Sequence, residues 1–185
     1  MTNTSIQYDN IIKKARDLYI KKMKDYGTSW RILRLPSLTD QIFIKANRIR
    51  SIQQSGVNLV GDNTSDEFIA IVNYGIIALI QCELGTDNAD EIPFLQAEQL
   101  YDKYALKTKE LMFRKNHDYG EAWRSMRISS MTDIILQKIL RLKQIEDNSG
   151  KTLVSEGVEG SYTDIINYAV FCLIRTDEEN AKNGD

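Results

Sequence analysis

Two stretches of the chain repeat one another: Lys-Asp-Tyr-Gly-Thr-Ser-Trp-Arg at residues 24–31 and His-Asp-Tyr-Gly-Glu-Ala-Trp-Arg at residues 117–124. Asp, Tyr, Gly, Trp and Arg recur in the same order, 93 residues apart. A one-residue insertion later raises the offset to 94. Further matches at these offsets are Arg34 with Arg127, Ser37 with Ser130, Asp40 with Asp133, Lys45 with Lys138, Arg48 with Arg141, and Asn73-Tyr74 with Asn167-Tyr168. The chain is therefore a tandem duplication of a module of about 90 residues.

Each module is predicted to form three helices, because apolar residues recur at helical spacing and no strand pattern of useful length occurs. We expect first helices at 9–24 and 94–116, each ended by the glycine of Asp-Tyr-Gly. The second helices should begin at Ser37 and Ser130, where Ser-x-x-Asp resembles a capping box. The third should cover 66–83 and 162–175. The predicted fold class is all-α.

The expected division is a first module at 1–84, a linker at 85–93, a second module at 94–178 and a disordered tail at 179–185. Three short helices alone bury little apolar surface. We therefore expect the two modules to pack together as one pseudo-two-fold helical bundle.

Composition excludes several classes of protein. An apolar fraction of 42% with 24 basic and 26 acidic residues excludes a disordered chain and does not favour a general nucleic-acid binder. The N-terminus lacks the apolar region of a secretory signal, and the longest apolar stretch, 68–80, is interrupted by Asn73 and is shorter than a bilayer span. Cys82 and Cys172 form no disulfide pattern and are expected to be buried thiols. We expect a cytoplasmic protein without membrane association.

The repeated polar residues are the candidates for function, because packing alone does not require them in both halves. In the repeated turn, Tyr26, Trp30, Tyr119 and Trp123 could stack on a base, and Arg31, Arg34, Arg124 and Arg127 could bind phosphates. The alternative is structural: the acid caps the turn, the indole packs beneath it, and the arginine is solvated.

Two further sets have similar alternatives. Lys45 with Arg48, and Lys138 with Arg141, could hold a triphosphate or form a solvated helix face. The pairs Asn73-Tyr74 and Asn167-Tyr168 lie within apolar helices, where the amides either contact a ligand or hydrogen-bond neighbouring helices.

Acidic residues lead into the third helix of each module. Asp62 and Asp66 lie four residues apart in the first half, with Glu67 beside them, and Glu156, Glu159 and Asp164 lie in the second. Carboxylates at this spacing could share a hard cation such as Mg²⁺, so Asp62, Asp66, Glu156 and Asp164 are the predicted metal ligands. The alternative is that the positive end of the helix dipole stabilises these acids. This explains Asp164 poorly, because Asp164 lies one turn inside the helix.

These motifs together resemble the DUF1599 family, also called nucleotide modification associated domain 1, over nearly the whole chain. That resemblance implies a similarity to MazG-type all-α nucleoside triphosphate pyrophosphatases, which are helical bundles that assemble as dimers and use Mg²⁺ to cleave the α–β bond. The family's Glu-Asp before the lysine maps onto Phe43-Ile44 and Leu136-Gln137, so both acids are missing in both halves.

Three hypotheses follow. The first is that the chain is a Mg²⁺-dependent pyrophosphohydrolase acting on canonical or modified nucleotides. The second is a nucleotide-binding module without catalytic activity, and the third is a structural or interaction protein. No catalytic residue is assigned. The predicted partner is a nucleotide or modified nucleotide, with a homodimer as a further prediction.

Overall fold

The computed structural model describes residues 3–57, 63–87, 90–151 and 157–183. Over these ranges the chain contains six α-helices, two 3-10 turns and no strand, so the all-α prediction is confirmed. The helices are α1 Asn3–Tyr26, α2 Leu35–Ser55, α3 Thr64–Leu84, α4 Phe94–Tyr119, α5 Ile128–Asp147 and α6 Val158–Asn183. The 3-10 turns are Ser29–Ile32 and Ala122–Ser125.

The repeated glycine ends the first helix of each module, as predicted. Gly27 and Gly120 have φ values of 64° and 58°, a left-handed conformation that costs a glycine no Cβ clash. Their amides donate to the carbonyl oxygens of Met23 and Asn116 at 2.9 Å in both cases.

The predicted capping boxes are wrong. α2 and α5 begin before Ser37 and Ser130, with Arg34 and Arg127 as N-cap residues that make no side-chain cap bond. Pro36 accounts for the early start of α2, because its fixed φ suits the first turn of a helix.

The two aspartates of the predicted capping boxes instead form ion pairs between the modules. Asp40 on α2 pairs with Lys143 on α5 at 2.6 Å, and Asp133 on α5 pairs with Arg50 on α2 at 3.7 Å. Lys143 is the repeat counterpart of Arg50, so the two pairs are related by exchange of the modules. The α2–α5 contact is therefore pseudo-two-fold.

Two hydrogen bonds in the core are related by the same exchange of the modules. The Tyr8 hydroxyl on α1 donates to Asn167 Oδ1 on α6 at 2.8 Å, and the Tyr101 hydroxyl on α4 donates to Asn73 Oδ1 on α3 at 2.7 Å. Both tyrosines are fully buried. Each module thus hydrogen-bonds the third helix of the other, which makes the two copies a single bundle.

The centre of the bundle is the contact between α3 and α6. At this crossing Gly75 lets the backbone of α3 approach Ile166, since a Cβ built on Gly75 would lie 2.6 Å from Ile166 Cγ1.

α3 has 21 residues and is long and apolar enough to cross a membrane, so the prediction that its apolar stretch is too short to span a bilayer is wrong. However, 67% of its most apolar window is buried against other helices, as in the core of a soluble protein. The cytoplasmic location stays a prediction.

The C-terminal segment departs from the expected tail. α6 continues through Asn183, so residues 179–183 are helical. Ion pairs hold the start of this segment, since Arg124 contacts Glu178 at 2.8 Å and Arg175 contacts Glu179 at 3.2 Å.

Both cysteines are free thiols, as expected. Cys172 is buried and Cys82 is half-buried, and burial raises the pKa of the Cys82 thiol to about 12. At neutral pH both are protonated and pack as small hydrophobic side chains.

The exchanged hydrogen bonds lead to a first prediction. Tyr8→Phe and Tyr101→Phe each leave a buried amide oxygen without its donor, so each should lower the free energy of unfolding by about 1–3 kcal/mol. Because the two bonds are equivalent, the losses should match. Urea denaturation measures them, with Tyr26→Phe on the exposed rim as control. A loss no larger than the control's, or a loss in one variant alone, would contradict the pseudo-two-fold account.

Candidate functional site

Each module forms a cleft between its first helix, its 3-10 turn and its third helix. The first cleft has a volume of about 390 Å³, and its walls include the predicted residues Tyr26, Trp30, Asn73 and Tyr74. The second has a volume of about 290 Å³ and contains Tyr119, Trp123, Asn167 and Tyr168. The structure therefore brings together all eight aromatic and amide residues singled out in the sequence, four in each cleft.

The two clefts are repeats of one another. Every residue that lines the second cleft matches a residue lining the first at an offset of 93 or 94. Each set lies within its own module, so the duplication produced two separate clefts and not one shared site.

The third helix fixes the 3-10 turn that carries the tryptophan. In the first module, the Gln81 amide donates to the carbonyl oxygens of Arg31 and Leu33 at 3.0 and 2.8 Å. In the second, the guanidinium of Arg175, the counterpart of Gln81, donates to the carbonyl oxygens of Arg124 and Met126. Two different side chains thus satisfy the same pair of carbonyls, and the turn keeps its position in both modules.

The aromatic residues divide into walls and rims. Trp30 and Trp123 are buried, whereas Tyr26 and Tyr119 are 52% and 72% exposed. Each indole Nε1 is buried without a hydrogen bond of normal geometry in the described part of the chain. A buried donor without a partner costs free energy, so the second cleft retains a polar group that packing does not explain, whereas the Trp30 indole interacts with the Tyr19 hydroxyl in the first.

The two asparagines have structural partners. Asn73 Nδ2 donates to the carbonyl oxygen of Ala15 at 3.0 Å, and Asn167 Nδ2 donates to that of Thr108 at 3.3 Å. Together with the tyrosine bonds described above, these contacts support the structural interpretation of the amides. A role in substrate binding stays a prediction.

The predicted phosphate-binding residues do not line either cleft. Lys45 and Arg48 both contact Glu67 on α3, Lys45 at 3.2 Å. The Arg31 guanidinium is buried and donates to Gln81 and to the carbonyl oxygen of Gly85. These cations neutralise or satisfy groups of the protein itself.

The remaining basic residues differ in their surroundings. The Arg124 guanidinium contacts Glu121 at 2.7 Å and Glu178 at 2.8 Å. Arg34, Arg127 and Arg141 are exposed and make no ion pair within the described residues. Their proposed role toward phosphates stays a prediction.

The predicted metal ligands are not assembled in the described residues. Asp62 and Glu156 lie outside those residues, and Asp66 is exposed on α3.

Asp164, the fourth predicted ligand, accepts hydrogen bonds from Lys115 at 2.5 Å and from Lys138 at 2.6 Å, one lysine on each carboxylate oxygen. No group of three His, Cys, Asp or Glu side chains that could hold a metal is found across residues 3–57, 63–87, 90–151 and 157–183. The donors described there do not fit Mg²⁺.

Asp164 is ionised because of its lysines. Burial raises the pKa of this carboxyl, but the hydrogen bonds from Lys115 and Lys138 outweigh burial and lower it below its usual range. A carboxylate whose pKa is lowered on folding stabilises the protein above its unfolded-state pKa, and this contribution is lost as the pH falls through the folded-state pKa.

Three residues that matter here are not among the predicted site residues. Glu67 stands beside the predicted metal ligands but does not share their spacing of four, because it lies three residues before Ala70, the counterpart of Asp164. Lys22 and Lys115 line the two clefts and are counterparts at the offset of 93. The repeat itself carried that signal, three residues before each Asp-Tyr-Gly.

These features define an all-α duplicated protein with one aromatic cleft per module. The family described as nucleotide modification associated domain 1, DUF1599, matches residues 22–82 and 115–176, which together make up most of the chain. The chain belongs to this family, in its tandem form. No curated protein and no solved structure matches it. The likeness to MazG-type pyrophosphatases stays a prediction.

The ion pairs of Asp164 give a second prediction. Lys138→Met keeps the aliphatic stem but removes one partner of a largely buried carboxylate, so it should lower the free energy of unfolding at pH 7 by about 1–3 kcal/mol. The deficit should shrink as the pH falls below about 4, where carboxyl groups become protonated. Urea denaturation between pH 7 and pH 3 measures both effects.

The control is Arg141→Met, on the same helix but exposed, which should change stability by no more than about 0.5 kcal/mol. An equal loss in both variants would show that the Asp164 pair has no special role. So would a Lys138→Met deficit that stays constant on acidification.

Proposed function

We propose that the chain binds a nucleotide, with the base against the aromatic wall of the first cleft and the phosphates toward Lys22. The observation that carries the proposal is the joining of Trp30, Tyr26 and Tyr74 with a lysine in a single concave site. An aromatic face stacks on any base, and an ammonium attracts phosphate. The family description, nucleotide modification associated, supports the same class of ligand.

The size and charge of the first cleft suit this ligand. Its volume of about 390 Å³ lies within the range of small-molecule sites. Lys22 is exposed and has no ion-pair partner in the described residues, so its charge is available to a phosphate. The near-neutral charge of the whole chain favours a small anion over a nucleic acid as the partner.

Hydrolysis of a nucleoside triphosphate is the finer alternative. It requires carboxylates that hold Mg²⁺, and of the predicted ligands that the structure describes, Asp66 is exposed and Asp164 is neutralised by two lysines. A hydrolytic site would therefore depend on Asp62 and Glu156. We propose binding as the function that the geometry supports best, and we derive no step through a metal. Homodimer formation likewise stays a prediction.

Calorimetric titration tests the proposal. The ligands are the ordinary ribo- and deoxyribonucleoside triphosphates together with base-modified ones, each with and without Mg²⁺. At least one should bind, and Lys22→Met should weaken that binding about tenfold, or 1.4 kcal/mol. The matched control is Lys24→Met, a neighbouring exposed lysine outside the cleft, which should leave affinity unchanged.

Two results would overturn the proposal: no nucleotide binding at millimolar concentration, or equal losses in the two lysine variants. Release of pyrophosphate in the presence of Mg²⁺ would establish the hydrolytic alternative in place of simple binding.

A further inference from the structure

The two clefts share their plan, and two of the positions at which their lining residues differ decide what each can hold. Ala70 in the first corresponds to Asp164 in the second, and Ile77 corresponds to Phe171. Both differences lie on the third helix of the module, in the wall opposite the first helix.

The first difference reduces the positive charge available to a ligand in the second cleft. In the second cleft, Lys115 is held by Asp164 at 2.5 Å, and Asp164 is only 12% exposed. In the first, Ala70 offers no acid, and Lys22 has no such partner among the described residues. An anion entering the second cleft would meet a carboxylate and would have to compete with it for the lysine.

The second difference concerns the tryptophan face on which a base would stack. The Phe171 ring lies parallel to Trp123 with centroids 4.2 Å apart and an interplanar angle of 4°. The Arg124 guanidinium also lies 4.4 Å from the Trp123 ring. Trp30 makes neither a ring stack nor a cation–π contact in the part of the chain that is described. Both indoles are buried, but an aromatic ring and a guanidinium of the protein cover Trp123, whereas neither kind of group among the described residues covers Trp30.

We infer that the two copies have diverged in function, so that the first cleft takes one nucleotide per chain and the second is closed to anionic aromatic ligands by Asp164 and Phe171. This inference rests on the proposed function. The second module then contributes to the bundle through the exchanged hydrogen bonds, and an internal acid and an internal ring line its cleft. The substrate class of the first cleft is a nucleotide whose base stacks on Trp30.

Calorimetric stoichiometry with reciprocal swaps tests the inference. The probe is the tightest-binding nucleoside triphosphate from the panel above. The unmodified chain should bind one molecule per chain. Ala70→Asp should weaken that binding at least tenfold, because it places beside Lys22 the acid that Asp164 places beside Lys115. The control is Ala70→Asn, because asparagine has nearly the volume of aspartate but no charge. This variant should bind the nucleotide with an affinity within threefold of that of the unmodified chain.

The converse swap opens the second cleft. Asp164→Ala combined with Phe171→Ile should raise the stoichiometry from one to two, with folding of every variant checked by its helical circular dichroism. Two molecules bound by the unmodified chain would overturn the inference while leaving nucleotide binding intact. Unchanged affinity in Ala70→Asp, or a single site in the double variant, would also overturn it. Absence of binding by every protein in the set would overturn the proposed function itself.

Discussion

The structure depends on a pair of exchanged hydrogen bonds, in which a buried tyrosine of each module donates to a buried asparagine of the other. Tyr8 reaches Asn167, and Tyr101 reaches Asn73. Because an unpaired amide is costly inside a protein, neither asparagine could lie mid-helix in an isolated three-helix module at little cost. The two copies are therefore obliged to pack together, and the exchanged ion pairs between α2 and α5 repeat the same relation at the surface.

The hydrogen bonds of these asparagines also set the geometry of the clefts. Each asparagine that receives the partner module's hydroxyl also bonds its own module's first helix, so one amide sets the spacing between the first and third helices that enclose the cleft. The glycine cap then turns the chain back, and the tryptophan closes the wall. With the backbone so constrained in both copies, the wall side chains were left as the place where the two modules could differ. The acid opposite Lys115, and the lack of one opposite Lys22, are such differences.

The sequence predicted the duplication, the all-α class, the glycine-ended helices and the grouping of Tyr26, Trp30, Asn73 and Tyr74, because a repeat of polar residues is visible without coordinates. It failed where the outcome depended on which way a helix faces. Glu67 is buried against Lys45 and Arg48 while its neighbour Asp66 is exposed, and a spacing of four between acids could not separate them. The capping boxes failed because Asp40 and Asp133 have partners in the other module, which no local pattern contains.

The chain has two tryptophans, and each cleft contains one. The two indole N–H signals in a nitrogen–proton correlation spectrum therefore report on the two clefts separately, once each is assigned from a Trp→Phe variant. Titration with a nucleoside triphosphate is the most direct test of the account. If the first cleft alone binds the nucleotide, the Trp30 signal moves, shifted by the ring current of the stacked base, while the Trp123 signal stays in place. Movement of the Trp123 signal, with or without the Trp30 signal, or of neither signal while calorimetry detects binding, would contradict this assignment.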